Sequence, residues 1–390
     1  MPSIFDEKYF NPEVFAKYVE RVPRVKQNAF INSGIFNTRN ELRGLFTDQV
    51  GGNYLTIPMI GNIGGEADNY DGNTDITVDG IDTYAQSDIV VGRAHAWEEK
   101  DFTYDITHHD FMNDIAAQVS EYKEDLDNAT ILKILEGIYG VTTDNFASQH
   151  TLDVTGTTTG KVTETTDMDA VQKAAGANRA IFSLAIMHSA VATNLEKMEV
   201  LEYRKQTDPD GIQRTIQLAD WHGRTVIIDD GVPISYPNST YSKTSDAAVV
   251  AGKTYYTRSG SSGNYVYTPV ASPVDADIAN YYEITALGDP VYTTYIMGRN
   301  AFDYCDVGAK VPYETDRDKK KKGGIDGLIM RQRKLFAPRG FSFVMPTPAI
   351  ISPTDAQLAT AANWTVVTNT TGTKYFDSKA IPFARILSKG

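Results

Sequence analysis

Residues 110–139 read DFMNDIAAQVSEYKEDLDNATILKILEGIY, and their pattern predicts the longest helix of the chain. Apolar side chains recur at steps of three and four residues, as on one buried helix face. These positions are Phe111, Ile115, Val119, Tyr122, Leu126, Ala129, Leu132 and Leu135. The opposite face is predicted to be solvated and carries Glu121, Lys123, Glu124 and Asp127. With Asp110 as cap and Gly140 as terminator, the helix would be roughly 45 Å long at 1.5 Å per residue.

Two β-rich segments precede this helix. Residues 54–59 (YLTIPM) and 87–96 (SDIVVGRAHA) favour strands, whereas residues 62–75 between them are rich in Gly, Asn and Asp, which favour turns. The sequence therefore predicts a long two-stranded excursion with a flexible tip. Because two strands alone are marginally stable in water, we expect the excursion to lie on another surface, such as a neighbouring subunit.

Downstream of the long helix, the pattern predicts a mixed α/β core. Helical stretches at 167–175 and 189–200 alternate with apolar strands at 181–187, 225–228 and 291–297. Residues 141–166 are rich in Thr and Gly and predict a loop.

The C-terminal third predicts a sheet. Its strands are expected at 312–317, 325–336, 341–344 and 380–386, and residues 352–363 predict a short helix.

Residues 235–287 differ in composition from the rest of the chain. Their tyrosines are Tyr236, Tyr241, Tyr255, Tyr256, Tyr265, Tyr267, Tyr281 and Tyr282, in a background of Ser, Thr, Gly and Ala. A hairpin is expected around residues 259–263. We interpret the segment as a small β-rich surface insertion, with a long ordered loop as the alternative. Its composition is typical of recognition surfaces, although tyrosine also simply favours strands.

Composition argues against several protein classes. The chain has 390 residues and a formal net charge of −13. A protein that binds phosphates would be expected to carry a positive net charge. Its single cysteine, Cys305, allows no internal disulfide, which fits a reducing cytosol. The start, MPSIFDEKYF, lacks the blocks of a signal peptide, and no apolar run approaches the length of a membrane span. Residues 1–50 predict an extended or partly helical arm, with a helix starting at Asn11.

The residue types that carry chemistry do not form a coherent set. The sequence has no Walker loop, no strand-linked G-x-G-x-x-G and no G-x-S-x-G motif. We interpret Cys305 as a small buried hydrophobe and His108-His109-Asp110 as a helix start, because adjacent helical residues rarely converge on one metal ion. The spacing of the acids at 68–79 does not match a calcium loop. We therefore expect no catalytic, cofactor or metal site.

Two segments carry opposite charge. Residues 66–105 contain eleven acidic residues against Arg93 and Lys100, whereas residues 314–339 contain nine basic residues against four acidic ones. The lysine run 319–322 would ordinarily be a solvated turn, but complementary patches can also fix register between subunits. We predict that the acidic excursion contacts the basic strands of a neighbour. The predicted contact residues are Glu66, Asp68, Asp71, Asp75, Arg317, Lys319, Lys320, Arg331 and Arg333.

The C-terminal third carries motifs that resemble one protein family. GIDGLI at 324–329, FAPRGF at 336–341, SPTD at 352–355 and AIPFAR at 380–385 are similar to stretches of tailed-bacteriophage major capsid proteins, as is TVIIDDGVP at 225–233. The order of arm, excursion, long helix, α/β core and terminal sheet is also that of this family. The resemblance covers nearly the whole chain outside the insertion.

The resemblance implies an α+β fold of the Hong Kong 97 type. In that fold, residues 1–52 would form an N-terminal arm, 53–106 the extended loop and 107–140 the spine helix of the peripheral domain. The remaining segments follow in order: the axial domain at 141–234, the β-rich insertion at 235–287, the axial domain again at 288–300, and the peripheral sheet with the C-terminal return at 301–390.

The resemblance also implies a function. The subunits would assemble as pentamers and hexamers into an icosahedral virion capsid, made in the host cytoplasm around double-stranded DNA that is not bound sequence-specifically. The expected partner is a portal, with either a separate scaffolding protein or none, since residues 1–50 are too few for a cleaved scaffolding segment. No lysine lies between residues 27 and 99, so a covalent crosslink from a loop lysine is not expected. The insertion would stabilise contacts between capsomers or be an exposed decoration.

Three rival readings remain. An encapsulin-type shell shares the fold and would enclose protein cargo, a tail or surface adhesin could use the tyrosine-rich segment, and a soluble enzyme has the least support.

Overall fold

A computed structural model describes residues 34–48, 53–60, 68–70, 83–100, 112–207, 213–261, 264–270, 272–321, 324–369, 372 and 374–390. Its helices are α1 (Glu41–Asp48), α2 (Met112–Ile138), α3 (Phe146–Gln149), α4 (Thr166–Ala175), α5 (Ser189–Lys197) and α6 (Asp355–Ala359). Its first ten strands are β1 (Phe36–Thr38), β2 (Tyr54–Ile60), β3 (Thr83–Lys100), β4 (Thr151–Asp153), β5 (Phe182–Met187), β6 (Glu202–Thr207), β7 (Gln213–Trp221), β8 (Arg224–Ile228), β9 (Ile234–Ser235) and β10 (Thr240–Lys243). The other ten are β11 (Tyr256–Ser261), β12 (Asn264–Pro269), β13 (Tyr281–Ala286), β14 (Val291–Gly298), β15 (Phe302–Asp306), β16 (Tyr313–Asp318), β17 (Ile325–Pro338), β18 (Phe341–Phe343), β19 (Trp364–Val366) and β20 (Phe383–Ser388).

A six-stranded sheet contains the excursion. Its order is β1-β15-β17-β3-β2, and β16 also pairs with β17. The predicted excursion strands are confirmed as β2 and β3, and β3 extends well beyond the predicted span. The sheet is antiparallel except where β1 runs parallel to β15. We call it the helix-backed sheet, because α2 packs on one of its faces through Tyr122, whose ring lies 5.3 Å from those of Trp97 and His95.

The predicted long helix is confirmed as α2, with 27 residues. Its apolar stripe holds at Val119, Leu132 and Leu135, which are buried, but the prediction for Ala129 is wrong, because that residue is exposed. Near its C-terminus α2 is enclosed on more than one side, and Ile131, Ile134 and Ile138 are buried as well. The end of the helix therefore lies inside the main core and not on its rim. Asp110 and residues 101–111 lie outside the described residues.

An eight-stranded sheet forms the second layer. Its order is β4-β20-β14-β5-β8-β7-β6, with β9 on β14. One of its faces shares the main core with α2 through Tyr295 and Phe383, and the other packs on α4 and α5 through Val171, Leu195 and Ile296. Burial on both faces explains the near-continuous apolar runs of β5 and β14.

The insertion is a separate four-stranded sheet in the order β10-β13-β11-β12. We call it the insertion sheet. The predicted hairpin is confirmed as β11 and β12, with Tyr256 opposite Pro269 and Ser261 opposite Asn264. Its own small core consists of Tyr255, Ile278 and Tyr281, with Val249 and Val270 packed against them. The alternative of a long ordered loop is therefore wrong for this segment.

Several local predictions need correction. The segment 141–166 contains α3 and β4 as well as loop, and the sequence pattern missed β1, β15 and the β6–β7 hairpin. These strands are short, or carry polar residues throughout, so their periodicity is weak. The predicted C-terminal helix is confirmed as α6, which Thr354 and Gln357 begin with reciprocal capping hydrogen bonds. The predicted helix near Asn11 lies outside the described residues.

The α+β class is confirmed, with helices packed on largely antiparallel sheets. In the part of the chain that the structure describes, no helix has the length and apolar character to cross a membrane.

Candidate intersubunit site

The base of the excursion is held by the basic strand of the same chain. Strand β3 pairs with β17 over eleven residue pairs, from Val90 opposite Leu335 to Lys100 opposite Ile325. The acidic and basic segments of the sequence are thus adjacent within one subunit along this length. One face of the paired strands contacts α2, and the other points away from it.

On the helix side, the central interaction is an ion pair. Lys334, which is 4% exposed, donates to Asp127 of α2. Desolvation raises the pKa of Asp127, and the charge of Lys334 opposes that rise. Gln332 also donates to Asp127, at 3.4 Å. The prediction that Asp127 lies on a solvated helix face is therefore wrong, because β17 covers it.

A second set of contacts ties the excursion to α6. Arg93 donates to the Pro353 carbonyl at 2.8 Å and pairs with Asp355 at 2.5 Å. The Gly92 amide donates to the Ser352 hydroxyl at 2.9 Å. The motif SPTD at 352–355 is therefore where the C-terminal third anchors the excursion.

The beginning of β2 is fixed from the same side. Arg333 donates to the side-chain oxygen of Asn53, whose amide donates to the Ile351 carbonyl at 3.0 Å. The Tyr54 hydroxyl donates to the Phe343 carbonyl at 3.0 Å. Together these bonds fix the base of the excursion, even though Asn53 and Ile351 lie in loops.

Away from α2, the sheet face is open near β16, whereas its part around Val90 and Leu335 is buried against Leu42 of α1. The cross-strand pairs place Arg331, Ala94 and Glu314 on this side, where Arg331 pairs with Glu314 at 2.7 Å. Ala94 and Ala96 are exposed, and Lys321 lies 3.6 Å from Glu98. Small residues on β3 make the face shallow, with charged residues along its borders. Such a surface can accept another polypeptide without rearranging its own backbone.

The predicted contact residues fall into three groups. Glu66, Asp71 and Asp75 lie outside the described residues, whereas Asp68 is described and exposed. Lys319 and Lys320 are exposed in the turn after β16, where the Lys320 amide donates to Asp318 at 3.0 Å. Arg317 lies on β16. Arg331 and Arg333 have the intrachain partners given above, so their contact with a neighbour stays a prediction.

Asp88 on β3 is a feature that the sequence reasoning missed. It is 2% exposed, and one carboxylate oxygen accepts from the Gln86 amide at 3.1 Å while the other has no hydrogen-bond partner. Desolvation raises the pKa of Asp88 well above its usual value, the bond from Gln86 opposes that rise, and the charge of Asp303 adds to it. An acid inside the apolar run SDIVVG is the signal that could have revealed it.

Asp303 links this site to the end of the N-terminal segment. It accepts from Asn37 at 2.6 Å and from Arg39 at 3.3 Å, next to the parallel pairing of β1 with β15. Strand β1, within the segment assigned to the N-terminal arm, and the base of the excursion therefore meet around the carboxyl groups of Asp88 and Asp303.

Cys305 is buried, and the interpretation of it as a small hydrophobe is confirmed. It packs with Leu42, Val90 and Leu335, and burial raises the pKa of its thiol. A raised pKa leaves little thiolate and makes the group unreactive at neutral pH.

A cleft of about 470 Å³ lies at the other end of the molecule. His222 on its wall contacts the buried Asp167 at 3.0 Å, and Arg224 also donates to Asp167. The remaining lining residues are Glu164, Met198, Glu199, Val200, Glu202, Asp220 and Gly223. Among the described residues, no group of three potential ligands could hold a metal ion. The arrangement fixes β7 and β8 against α4 and has no evident nucleophile on its wall.

Comparisons with known proteins bear on the whole chain. No family model matches it. It is 25% identical over 353 residues to the major capsid protein of Bacillus phage SPP1, and the match covers 90% of each chain.

Solved structures similar to the chain include phage capsids. The capsid of Ralstonia phage GP4 has a TM-score of 0.47 at 10% identity, covering 79% of this chain and 84% of that one. The cyanophage Pam1 capsid has a TM-score of 0.45 at 11% identity, covering 94% and 93%. From the full-length sequence similarity, the resemblance to phage major capsid proteins that the motifs indicate is confirmed.

Proposed function

We propose that this chain is the major structural subunit of a tailed-phage capsid, assembling as pentamers and hexamers into an icosahedral shell around double-stranded DNA. The observation that carries the proposal is the similarity to a phage major capsid protein over nine tenths of both chains. A shell subunit is a structural protein, whose function is to form contacts with other subunits and not to catalyse a reaction.

The geometry of the excursion supports this function. Its base is fixed to β17, α6 and β18, while the open face of the same sheet is shallow and bordered by charged residues such as Arg331 and Glu98. A subunit built in this way has a surface that can receive a segment of a neighbouring copy. Repeating that contact with rotation generates closed rings.

The segment assignments follow as proposals. Residues 1–52 would be the arm, 53–106 the extended loop, 107–140 the spine helix and 301–390 the peripheral sheet. The axial domain would span 141–234 and 288–300, with the insertion at 235–287. A portal and a separate scaffolding protein would complete the assembly, which would take place in the host cytoplasm.

Electron microscopy and size-exclusion chromatography of the expressed protein test the proposal. Shells, rings or tubes of 43.0 kDa subunits are the expected result. A monomer at every concentration, also after co-expression with a phage scaffolding protein, would contradict a self-tiling subunit. Boiling in detergent should release single subunits, since no lysine lies between residues 27 and 99.

Charge reversal tests the predicted contact. The double variant Arg331→Glu, Arg333→Glu should lose assembly while remaining folded by circular dichroism. Arg179→Glu, which reverses an exposed charge on the opposite part of the fold, is the matched control. Assembly unaffected by the double variant would remove the basic strand from the interface.

A further inference from the structure

The insertion sheet has two chemically different faces. Antiparallel pairing places Tyr281 opposite Thr257 and Glu283 opposite Ser242 on the inner face, which the small core covers. On that side Lys253 pairs with Asp246 at 2.7 Å and with Glu283 at 2.5 Å. The acidic groups of the sheet are therefore neutralised on the inner face.

The other face is made of tyrosines and cations. The pairs Lys243 with Tyr282, Tyr256 with Tyr282 and Arg258 with Tyr267 put these side chains on one side of the sheet. We call this surface the tyrosine–arginine face, and it comprises Tyr241, Lys243, Tyr256, Arg258, Tyr265, Tyr267 and Tyr282. Lys243, Arg258 and Tyr265 are exposed, and the other rings are half-buried.

The rings hold each other in place. Tyr241 and Tyr267 stack with centroids 4.0 Å apart and planes at 6°, and each meets another ring edge-on, Tyr256 at 5.1 Å and Tyr282 at 5.5 Å. The Arg258 guanidinium lies 4.3 Å from the Tyr265 ring centre and 4.8 Å from that of Tyr282. A surface ordered before binding loses little side-chain entropy when a partner docks.

The charge of this face identifies the kind of partner. Among its described residues it carries two cations and no acid, while the whole chain has a formal net charge of −13. A second copy therefore carries an excess of acidic charge, which is opposite in sign to a face bearing Lys243 and Arg258. Tyrosine and arginine are also the residues that most often anchor protein interfaces.

We propose that the tyrosine–arginine face docks on the acidic surface of a second copy of this chain and so joins neighbouring rings of subunits. The inference rests on the proposed capsid function, because only a shell holds many copies side by side. It assigns the insertion to contacts between copies instead of to exposed decoration.

Charge reversal of the face provides the first test. Shells of the double variant Lys243→Glu, Arg258→Glu should dissociate at least tenfold faster in dilute buffer than wild-type shells. Shells of Arg179→Glu, an exposed reversal outside the insertion, should dissociate at the wild-type rate. Because Lys253→Glu would break the inner ion pairs, it is not a suitable control. Equal dissociation of all three proteins would overturn the inference and leave the capsid proposal standing.

Photocrosslinking identifies the occupant directly. Tyr265 is replaced by p-benzoylphenylalanine, and shells assembled from equal amounts of ¹⁴N and ¹⁵N protein are irradiated. Peptides that join the two isotopes and end in an acidic segment are the expected product. Crosslinks confined to one chain, or products with glycan, DNA or a foreign protein, would overturn the inference. If wild-type protein forms no assembly at all, it is the proposed function that fails.

Discussion

The helix-backed sheet and the insertion sheet each bury one face, but they bury it against different parts of the molecule. Each is largely antiparallel and covers one face. The other face of the insertion sheet is open, whereas that of the helix-backed sheet is open near β16 and buried where Val90 and Leu335 pack with Leu42 of α1. The helix-backed sheet shares its covered face with α2 and the main core, whereas the insertion sheet covers its own with three buried residues, Tyr255, Ile278 and Tyr281. A defect in the first should therefore unfold the subunit, and a defect in the second should remain local.

The two sheets also place their charges differently. In the helix-backed sheet an ion pair, Lys334 with Asp127, lies under α2. In the insertion sheet the ion pairs of Lys253 are partly exposed. Buried pairs are costly to break because one charge is left without a partner, whereas exposed pairs contribute little. The comparison thus predicts a large difference in sensitivity to mutation.

Lys334→Ala should have the largest effect. It removes the ion-pair partner of the mostly buried Asp127, which keeps the hydrogen bond from Gln332, so the free energy of unfolding should fall by about 3–5 kcal/mol. Urea denaturation of the soluble subunit measures this change. In the same strand, Arg331→Ala breaks the exposed pair with Glu314 and should cost about 0–1 kcal/mol. Equal losses for the two variants would show that β17 does not exclude water from Asp127.

Gly137→Ala tests how closely α6 and its neighbours pack on α2. A methyl group at this position would lie 2.6 Å from the indole nitrogen of Trp364, which donates to the Leu358 carbonyl at 2.7 Å. We expect a loss of about 3 kcal/mol, because backbone and a buried ring must both move. Gly156→Ala, where the methyl group would meet nothing within 4 Å, should change stability by less than about 0.5 kcal/mol.

Sequence periodicity predicted the long helix and several strands of the two sheets. The long helix, the excursion strands and the insertion hairpin have strong patterns of apolar or aromatic residues, and each was found near its expected place. The partner of Asp127 was not predictable, because a helical pattern shows which face a residue occupies but not that β17 brings Lys334 to it. Ala129 was misplaced for the related reason that a small residue fits either environment.

The sequence predicted the partners of the contact residues less well than it predicted the helices and strands. Charge segregation identified two segments of opposite charge, and the pairing of β3 with β17 brings part of them together within one chain. Composition cannot distinguish an intrachain from an intersubunit partner. The buried acid Asp88 was also missed, since a single polar residue hardly alters the apolar run that contains it.

The variant Asp88→Asn should change the stability of the helix-backed sheet by an amount that depends on pH. The pKa of Asp88 is raised in the folded state, so the folded protein retains a proton that the unfolded chain has released above pH ~4. The stability of wild-type protein should therefore decrease as pH rises from about 4 towards the folded pKa. The amide keeps an acceptor for Gln86 and cannot ionise, and we expect a gain of about 1–2 kcal/mol at pH 8.

Urea denaturation at pH 5 and pH 8 measures this difference. The gain from Asp88→Asn should be larger at pH 8 than at pH 5, whereas Asp316→Asn, an exposed acid of the same sheet, should be neutral at both. A gain that is independent of pH would mean that Asp88 does not titrate in this range in the folded protein.

Ile278→Val should produce the smallest effect and tests the independence of the insertion directly. Removing one methylene from its small core should cost about 1 kcal/mol, which corresponds to roughly fivefold faster amide exchange in a unit that opens separately. We expect this acceleration in β11 and β13 only. Ile186→Val in β5 is the matched truncation in the main core, where it should accelerate exchange across the eight-stranded sheet. If Ile278→Val accelerated exchange in β5 and β14 equally, the insertion would unfold together with the main core, and its three-residue core would have to be regarded as an extension of the larger one.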